Sequence, residues 1–184
     1  MKLLEWRVLA LPELIELVPH RSADERGFFS EVWNEARFAE AGITATFVQD
    51  NVSVSKKGVV RGLHFQTPPS AQAKLVRVSR GAVFDVGVDI RRTSPTFGSW
   101  AGVVLSAERW NQLYVPEGFA HGFVTLEDDT EVSYKVSAPY SPEHERSIRF
   151  DDPAIGIEWP IEGLPFLSAK DASAPFLSEI ATGF

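Results

Sequence analysis

Over much of the chain, apolar and polar positions alternate with a period of two, as expected for strands with one face buried. The pattern is clearest over Ala82–Ile90. There Phe84, Val86, Val88 and Ile90 share one face, and Val83, Asp85, Gly87 and Asp89 the other. Similar patterns predict strands over Phe47–Ser55, Ala73–Arg80, Trp100–Leu105, Asn111–Val115, Ala120–Thr125 and Thr130–Val136. Turn-forming steps separate them, among them Gly81, Ser94-Pro95, Pro116-Glu117-Gly118 and Asp128-Asp129. One helix is expected, with Asn34 as its cap, Ala36–Ala41 as its body and Gly42 closing it in the left-handed conformation. The Pro-rich stretch after Asp151 is expected to wind over the surface with a short helical turn. Many short strands separated by turns indicate a sandwich, jelly roll or barrel. With no repeat, low-complexity tract or Gly/Ser linker, residues 1–184 are read as one domain.

Composition narrows the function classes. A net charge of −7 argues against a general binder of nucleic acid or anionic membrane, so any phosphate would need a local basic cluster. The chain contains no cysteine, which removes disulfides, thiolate nucleophiles and cysteine metal sites. Glu5 and Arg7 interrupt the N-terminal segment Met1–Arg7, so no signal-peptide apolar core is expected, and no apolar run is long enough to span a bilayer. The expectation is a soluble, cytoplasmic protein.

Two segments carry candidate chemistry. The first contains Gly58, His64, Gln66, Lys74 and Gly81; the second contains Pro116, Gly118 and His121. Their spacing resembles the two signature motifs of the cupin superfamily, which implies an all-β, double-stranded β-helix (jelly-roll) barrel with a few short helices. In metal-binding cupins three imidazoles and a carboxylate hold a divalent ion. Here two imidazoles remain, an amide replaces the third, and the Lys74 ammonium replaces the carboxylate. An ammonium has no lone pair to donate and repels a cation, so this set suits an anion better than a metal.

A second resemblance spans more of the chain. It rests on Arg26-Gly27-Phe28-Phe29-Ser30-Glu31, Gln49-Asp50-Asn51, Arg61-Gly62-Leu63-His64-Phe65-Gln66, Val83-Phe84-Asp85-Val86, Pro116 to Phe123, Tyr134-Lys135 and Leu167 to Asp171, in that order. These runs resemble the dTDP-4-dehydrorhamnose 3,5-epimerase family, which inverts C3 and C5 of a 4-keto-6-deoxy sugar carried on dTDP. The resemblance implies a homodimer that uses no metal or redox cofactor. It also implies His64 as general base, Asp171 as the carboxylate orienting it, Lys74 as the cation beside the ketone and Tyr134 as proton donor on the opposite face. Arg26, Glu31, Gln49, Asp50, Asn51, Arg61, His121, Glu145 and Lys170 match substrate-contacting positions, and Phe29 and Tyr140 match aromatics enclosing the thymine. The sequence departs from the family at Ala73, Trp110 and Pro139.

The residue types suit the chemistry. Removing a hydrogen beside a ketone leaves negative charge on the ketone oxygen, so a base, a cation at that oxygen and an acid on the other face are required. Histidine can accept a proton near neutrality, a carboxylate on its second nitrogen fixes the tautomer, and a lysine supplies charge where the enolate develops. Arginine matches phosphate oxygens with its planar fork.

Plainer readings stand beside these. Taken by itself, His64 reads first as a hydrogen-bonded strand histidine, and His121 reads equally as a turn residue. Tyr134 falls in period with Val132 and Val136 and could simply line a barrel. Asp171 next to Lys170 reads as a solvated pair, Arg26 within Asp24-Glu25-Arg26 as a surface salt bridge, and Asp85 and Asp89 as interior or loop hydrogen-bonders. Three alternative functions remain open at this level: an epimerase acting on one carbon, a non-catalytic cupin that binds sugar nucleotides, and a metal-dependent cupin.

Overall fold

A computed structural model describes residues 3–184; Met1 and Lys2, part of the N-terminal segment considered above, lie outside the described residues. The strands in chain order are β1 (Leu4–Val8), β2 (Ile15–Pro19), β3 (Ser22–Asp24), β4 (Gly27–Phe29), β5 (Gln49–Ser55), β6 (Val60–Gln66), β7 (Lys74–Arg80), β8 (Ala82–Asp89), β9 (Trp100–Ser106), β10 (Gln112–Val115), β11 (Phe119–Thr125), β12 (Thr130–Val136) and β13 (Glu145–Ser147). Among the described residues, two short helices, α1 (Glu35–Glu40) and α2 (Ala169–Ala172), and a 3-10 turn at Leu177–Glu179 complete the set of elements.

The strands form two antiparallel sheets facing one another. One runs β1-β2-β10-β7-β12-β5, the other β13-β6-β11-β8-β9, and β3 and β4 form a separate hairpin. This is the cupin-type barrel. Side-chain alternation on β8 shows how the sequence sorts its faces. Val83 joins the cluster between the sheets, with Val76, Leu113, Phe123 and Val132. Val86, Val88 and Ile90 instead point outward and are covered by Ile148 and, from the C-terminal stretch, by Ile155 and Leu177. That stretch therefore seals one outer face of the barrel. On the other outer face, α1 lays Phe38 over Leu17 and Leu75.

Helix α1 begins and ends where the sequence indicates. The Asn34 side chain accepts a hydrogen bond from the Arg37 amide, and Gly42 follows with φ of 86°. At one other glycine the fold leaves no choice. A Cβ on Gly62 would lie 2.6 Å from the Cα of Gly122 and 2.7 Å from the His121 carbonyl oxygen. Strands β6 and β11 thus come together at a point where only glycine fits. His64 lies two residues beyond, with its backbone in register with that of His121.

The barrel interior divides along its length. The cluster around Leu14, Leu105 and Leu113 plugs one end with apolar side chains. At the other end, the inward positions of β5, β6, β7 and β12 are Asn51, His64, Lys74 and Tyr134, which line a cavity.

Candidate active site

That cavity has a volume of about 300 Å³ and is lined by Gln49, Asn51, His64, Phe65, Gln66, Gln72, Lys74, Tyr134, Tyr140 and Glu145. Strand pairing fixes much of this arrangement. Tyr134 lies opposite Asn51 across β12 and β5, Lys74 opposite Val136 across β7 and β12, and Glu145 opposite Gln66 across β13 and β6.

His64 forms the centre of a dyad. Its Nε2 lies 2.5 Å from Asp171 Oδ1, with the histidine side chain 30% and the aspartate 4% exposed. Asp171 is the third residue of α2, whose cap, Ser168, donates its hydroxyl to Asp171 Oδ2 at 2.8 Å and accepts from the Asp171 amide at 3.1 Å. Burial acts to raise the Asp171 carboxyl, but the His64 hydrogen bond and charge, then Ser168 and Lys170, outweigh it and hold the group below the usual carboxylate range. With Nε2–H donated to a fixed carboxylate, Nδ1 of His64 is left as a proton acceptor. Asp171 is therefore not a solvated partner of Lys170; Lys170 pairs instead with Glu145 at 2.6 Å.

Lys74 is only 7% exposed. Its Nζ donates to the His64 carbonyl at 3.3 Å. Burial pushes its ammonium down to about 8, against the opposing pull of Asp85 and then Glu145. Tyr134 is raised above the ordinary phenol value by burial, with Arg61 opposing and Glu145 reinforcing the shift. A raised phenol stays protonated at neutral pH and can donate. At the mouth, the Tyr140 hydroxyl donates to Glu145 Oε2 at 2.8 Å, and the Tyr140 amide donates to Gln49 Oε1 at 3.1 Å. Arg61 donates through Nε and a terminal nitrogen to the Ser55 hydroxyl at 3.2 and 3.1 Å.

Other sequence-predicted residues lie elsewhere. Arg26 and Phe29 belong to the β3–β4 hairpin, outside the cavity lining. Arg26 makes the plain surface salt bridge to Asp24, and Phe29 is 75% exposed. Glu31 pairs with Arg37 at 2.8 Å. Asp50 lies one position out of phase with Gln49 and Asn51, on the outer sheet face, where it pairs with Lys135 at 2.9 Å. His121 does not line the cavity. It is buried within the barrel, with Nε2 2.9 Å from Asp85 Oδ1, and burial lowers its basicity despite that carboxylate. Gln72 was not identified in the sequence; it lines the cavity and donates to the Ala138 carbonyl at 2.7 Å, and no motif marks it.

Comparison with known proteins matches this geometry to a family. The family model for dTDP-4-dehydrorhamnose 3,5-epimerase matches residues 8–179. The dTDP-4-dehydrorhamnose 3,5-epimerase of Salmonella typhimurium is 58% identical over 171 residues, covering 92% of this chain and 93% of the relative. The crystal structure of dTDP-6-deoxy-D-glucose-3,5-epimerase from Legionella pneumophila in complex with dTDP-4-keto-L-rhamnose superposes with a TM-score of 0.93 at 47% identity, covering 97% of this chain and 95% of that one. A 3′-monoepimerase from Streptomyces bikiniensis in complex with dTDP-quinovose gives a TM-score of 0.87 at 38% identity, covering 93% and 87%. Fold, cavity and sequence agree, and the chain belongs to the dTDP-4-dehydrorhamnose 3,5-epimerase family.

Proposed function

We propose that this protein epimerises C3 and C5 of dTDP-4-dehydro-6-deoxy-D-glucose, giving dTDP-4-dehydro-L-rhamnose, by proton transfer alone. One observation carries the reading: the His64–Asp171 dyad, the Lys74 ammonium and the Tyr134 phenol converge on one cavity. Nδ1 of His64 takes the proton from carbon, and Asp171 stabilises the imidazolium that forms. Lys74 meets the negative charge that develops on the ketone oxygen, a role whose loss costs about 3 kcal/mol in comparable sites. Tyr134 returns a proton to the other face of the ring, which inverts the carbon. Arg61 and Lys170 serve the diphosphate, and Tyr140 stacks on the thymine. The substrate, a nucleotide sugar, suits a cytoplasmic enzyme.

Arg26, Phe29 and Glu31 match substrate-contacting positions yet lie outside the cavity lining. A homodimer in which one protomer's hairpin reaches the other's cavity reconciles the two facts. Sedimentation of the protein should give twice the chain mass.

The test of the reaction is solvent deuterium exchange into the 4-keto substrate. Label at both C3 and C5 supports the proposal, and label at neither ends it. Label at one carbon alone supports the second reading, a single-carbon epimerase, which the likeness to the Streptomyces bikiniensis monoepimerase favours.

A further inference from the structure

Asp85 lies on the inner face of β8 and is fully buried. Its Oδ1 is 2.9 Å from His121 Nε2, while Oδ2 has no hydrogen-bond partner among the described residues. An unpartnered buried oxygen is destabilising, so the fold alone gives no reason for a carboxylate here. We propose that Asp85 is a positioning residue for the reaction: its buried carboxylate holds the Lys74 side chain in the ammonium form and anchors His121.

The charges around Lys74 single out Asp85. The ionisable groups facing Lys74 are His64 on β6, Asp85 on β8, His121 on β11, Tyr134 on β12 and Glu145 on β13. Of the two carboxylates, Glu145 already pairs with Lys170 and accepts from Tyr140. Asp85 has only His121, which burial keeps from charging. Asp85 is also the larger of the two influences holding Lys74 up against its burial. A neutral amine at Lys74 could not stabilise an enolate. This inference rests on the proposed role of Lys74 at the ketone.

Asp85→Asn tests it, because the amide oxygen can still accept from His121 while the charge is gone. The first readout needs no substrate: titration of the Lys74 Cε resonance in 13C-lysine-labelled protein, assigned by its loss in Lys74→Arg. The midpoint should fall by about 1–3 units, the effect of losing a close opposite charge, and Asp85→Glu should restore it. Glu145→Gln should move it less. An unmoved midpoint in Asp85→Asn overturns the proposal. A fall of about 1 unit or more in Glu145→Gln, the size expected of the dominant opposite charge, does the same, and this variant gives the answer even if Asp85→Asn fails to fold.

The second readout is the pH profile of kcat/KM, whose alkaline limb should shift down with the Lys74 midpoint, since activity is lost as the ammonium deprotonates. A lowered midpoint with an unmoved limb would keep the Asp85–Lys74 linkage but take Lys74 out of the chemistry. That result overturns Asp85's part in the reaction through the failure of the proposed function, and not of the charge coupling.

Discussion

Replacing Asp171 with Asn keeps the side-chain volume and removes one charge from the His64 dyad. In the proposed mechanism His64 takes a proton from carbon and becomes an imidazolium 2.5 Å from Asp171 Oδ1. Two unit charges whose centres are roughly 4 Å apart interact by about 4 kcal/mol at an effective dielectric near 20. The His64 side chain is 30% exposed, so water screens part of this, and about 2–3 kcal/mol remains. At 1.36 kcal/mol per decade that is a loss of roughly 30- to 150-fold. Loss of the enforced tautomer adds to it, and the corresponding change in a serine-protease triad sets an outer bound of about 10⁴. Asp171 does not line the cavity, so the loss should fall on kcat and leave the dissociation constant for dTDP unchanged. Steady-state kinetics with the 4-keto sugar nucleotide, paired with calorimetry for dTDP, measures both. A loss smaller than threefold, or one confined to KM, would refute the assignment of His64 as a base supported by Asp171.

The same pair makes acid stability depend on Asp171. Its folded carboxyl is held below the usual range, so its contribution is present above the unfolded value of about 3.9 and is lost as pH falls through the folded value. Denaturation curves of wild type and Asp171→Asn should therefore converge as pH falls below about 4. Tyr134→Phe should remove the returning proton but not the base, with turnover down about 10²–10⁴-fold; deuterium exchange that outlasts product formation would show it. Gly62→Ala would press a methyl against the backbone of Gly122 and His121 at a φ of 125°, costing about 2–4 kcal/mol. A urea midpoint shift worth less than about 1 kcal/mol would contradict that account.

The sequence revealed the barrel wherever its strands alternate. Thr130–Val136 forms as predicted, and the other predicted strands agree to within a residue or two. Strands β1 to β4 were not predicted. The inward and outward positions of β2 are both largely buried, which erases the alternation, and β3 and β4 are three-residue strands with exposed side chains. Strand β6 was read only as a motif because Arg61 and Gly62 interrupt its pattern. Within the site, the family register grouped His64, Lys74, Tyr134 and Asp171, which the fold gathers around one cavity, whereas adjacency to Lys170 alone reads Asp171 as a solvated surface residue. Asp50 shows the limit of reading a run as a unit, since strand alternation turns it away from its neighbours Gln49 and Asn51. Arg26 and Phe29 show another, since the motif that carries them folds as a separate hairpin outside the cavity lining.

The cupin frame also explains Gln66, which stands where a metal-binding cupin has its second histidine. Its Nε2 donates to the Ser70 carbonyl at 2.6 Å and the Pro139 carbonyl at 3.2 Å, and its Oε1 accepts from the Ser141 amide at 2.7 Å. Both ends of the amide are thus committed to backbone, and they tie the loop after β6 to the segment carrying Tyr140. An imidazole at this position cannot reproduce two donations and one acceptance, because a neutral ring has one donor and one acceptor. Gln66→His, which restores the residue of the metal-binding frame, should therefore release the Tyr140 segment. Each lost hydrogen bond is worth about 0.5–1.5 kcal/mol, so dTDP should bind about tenfold more weakly, while kcat falls little because the dyad and Lys74 keep their places. Calorimetry decides the point. Unchanged dTDP affinity would mean that Tyr140 is positioned by other contacts, and that Gln66 does no more for the site than fill its wall.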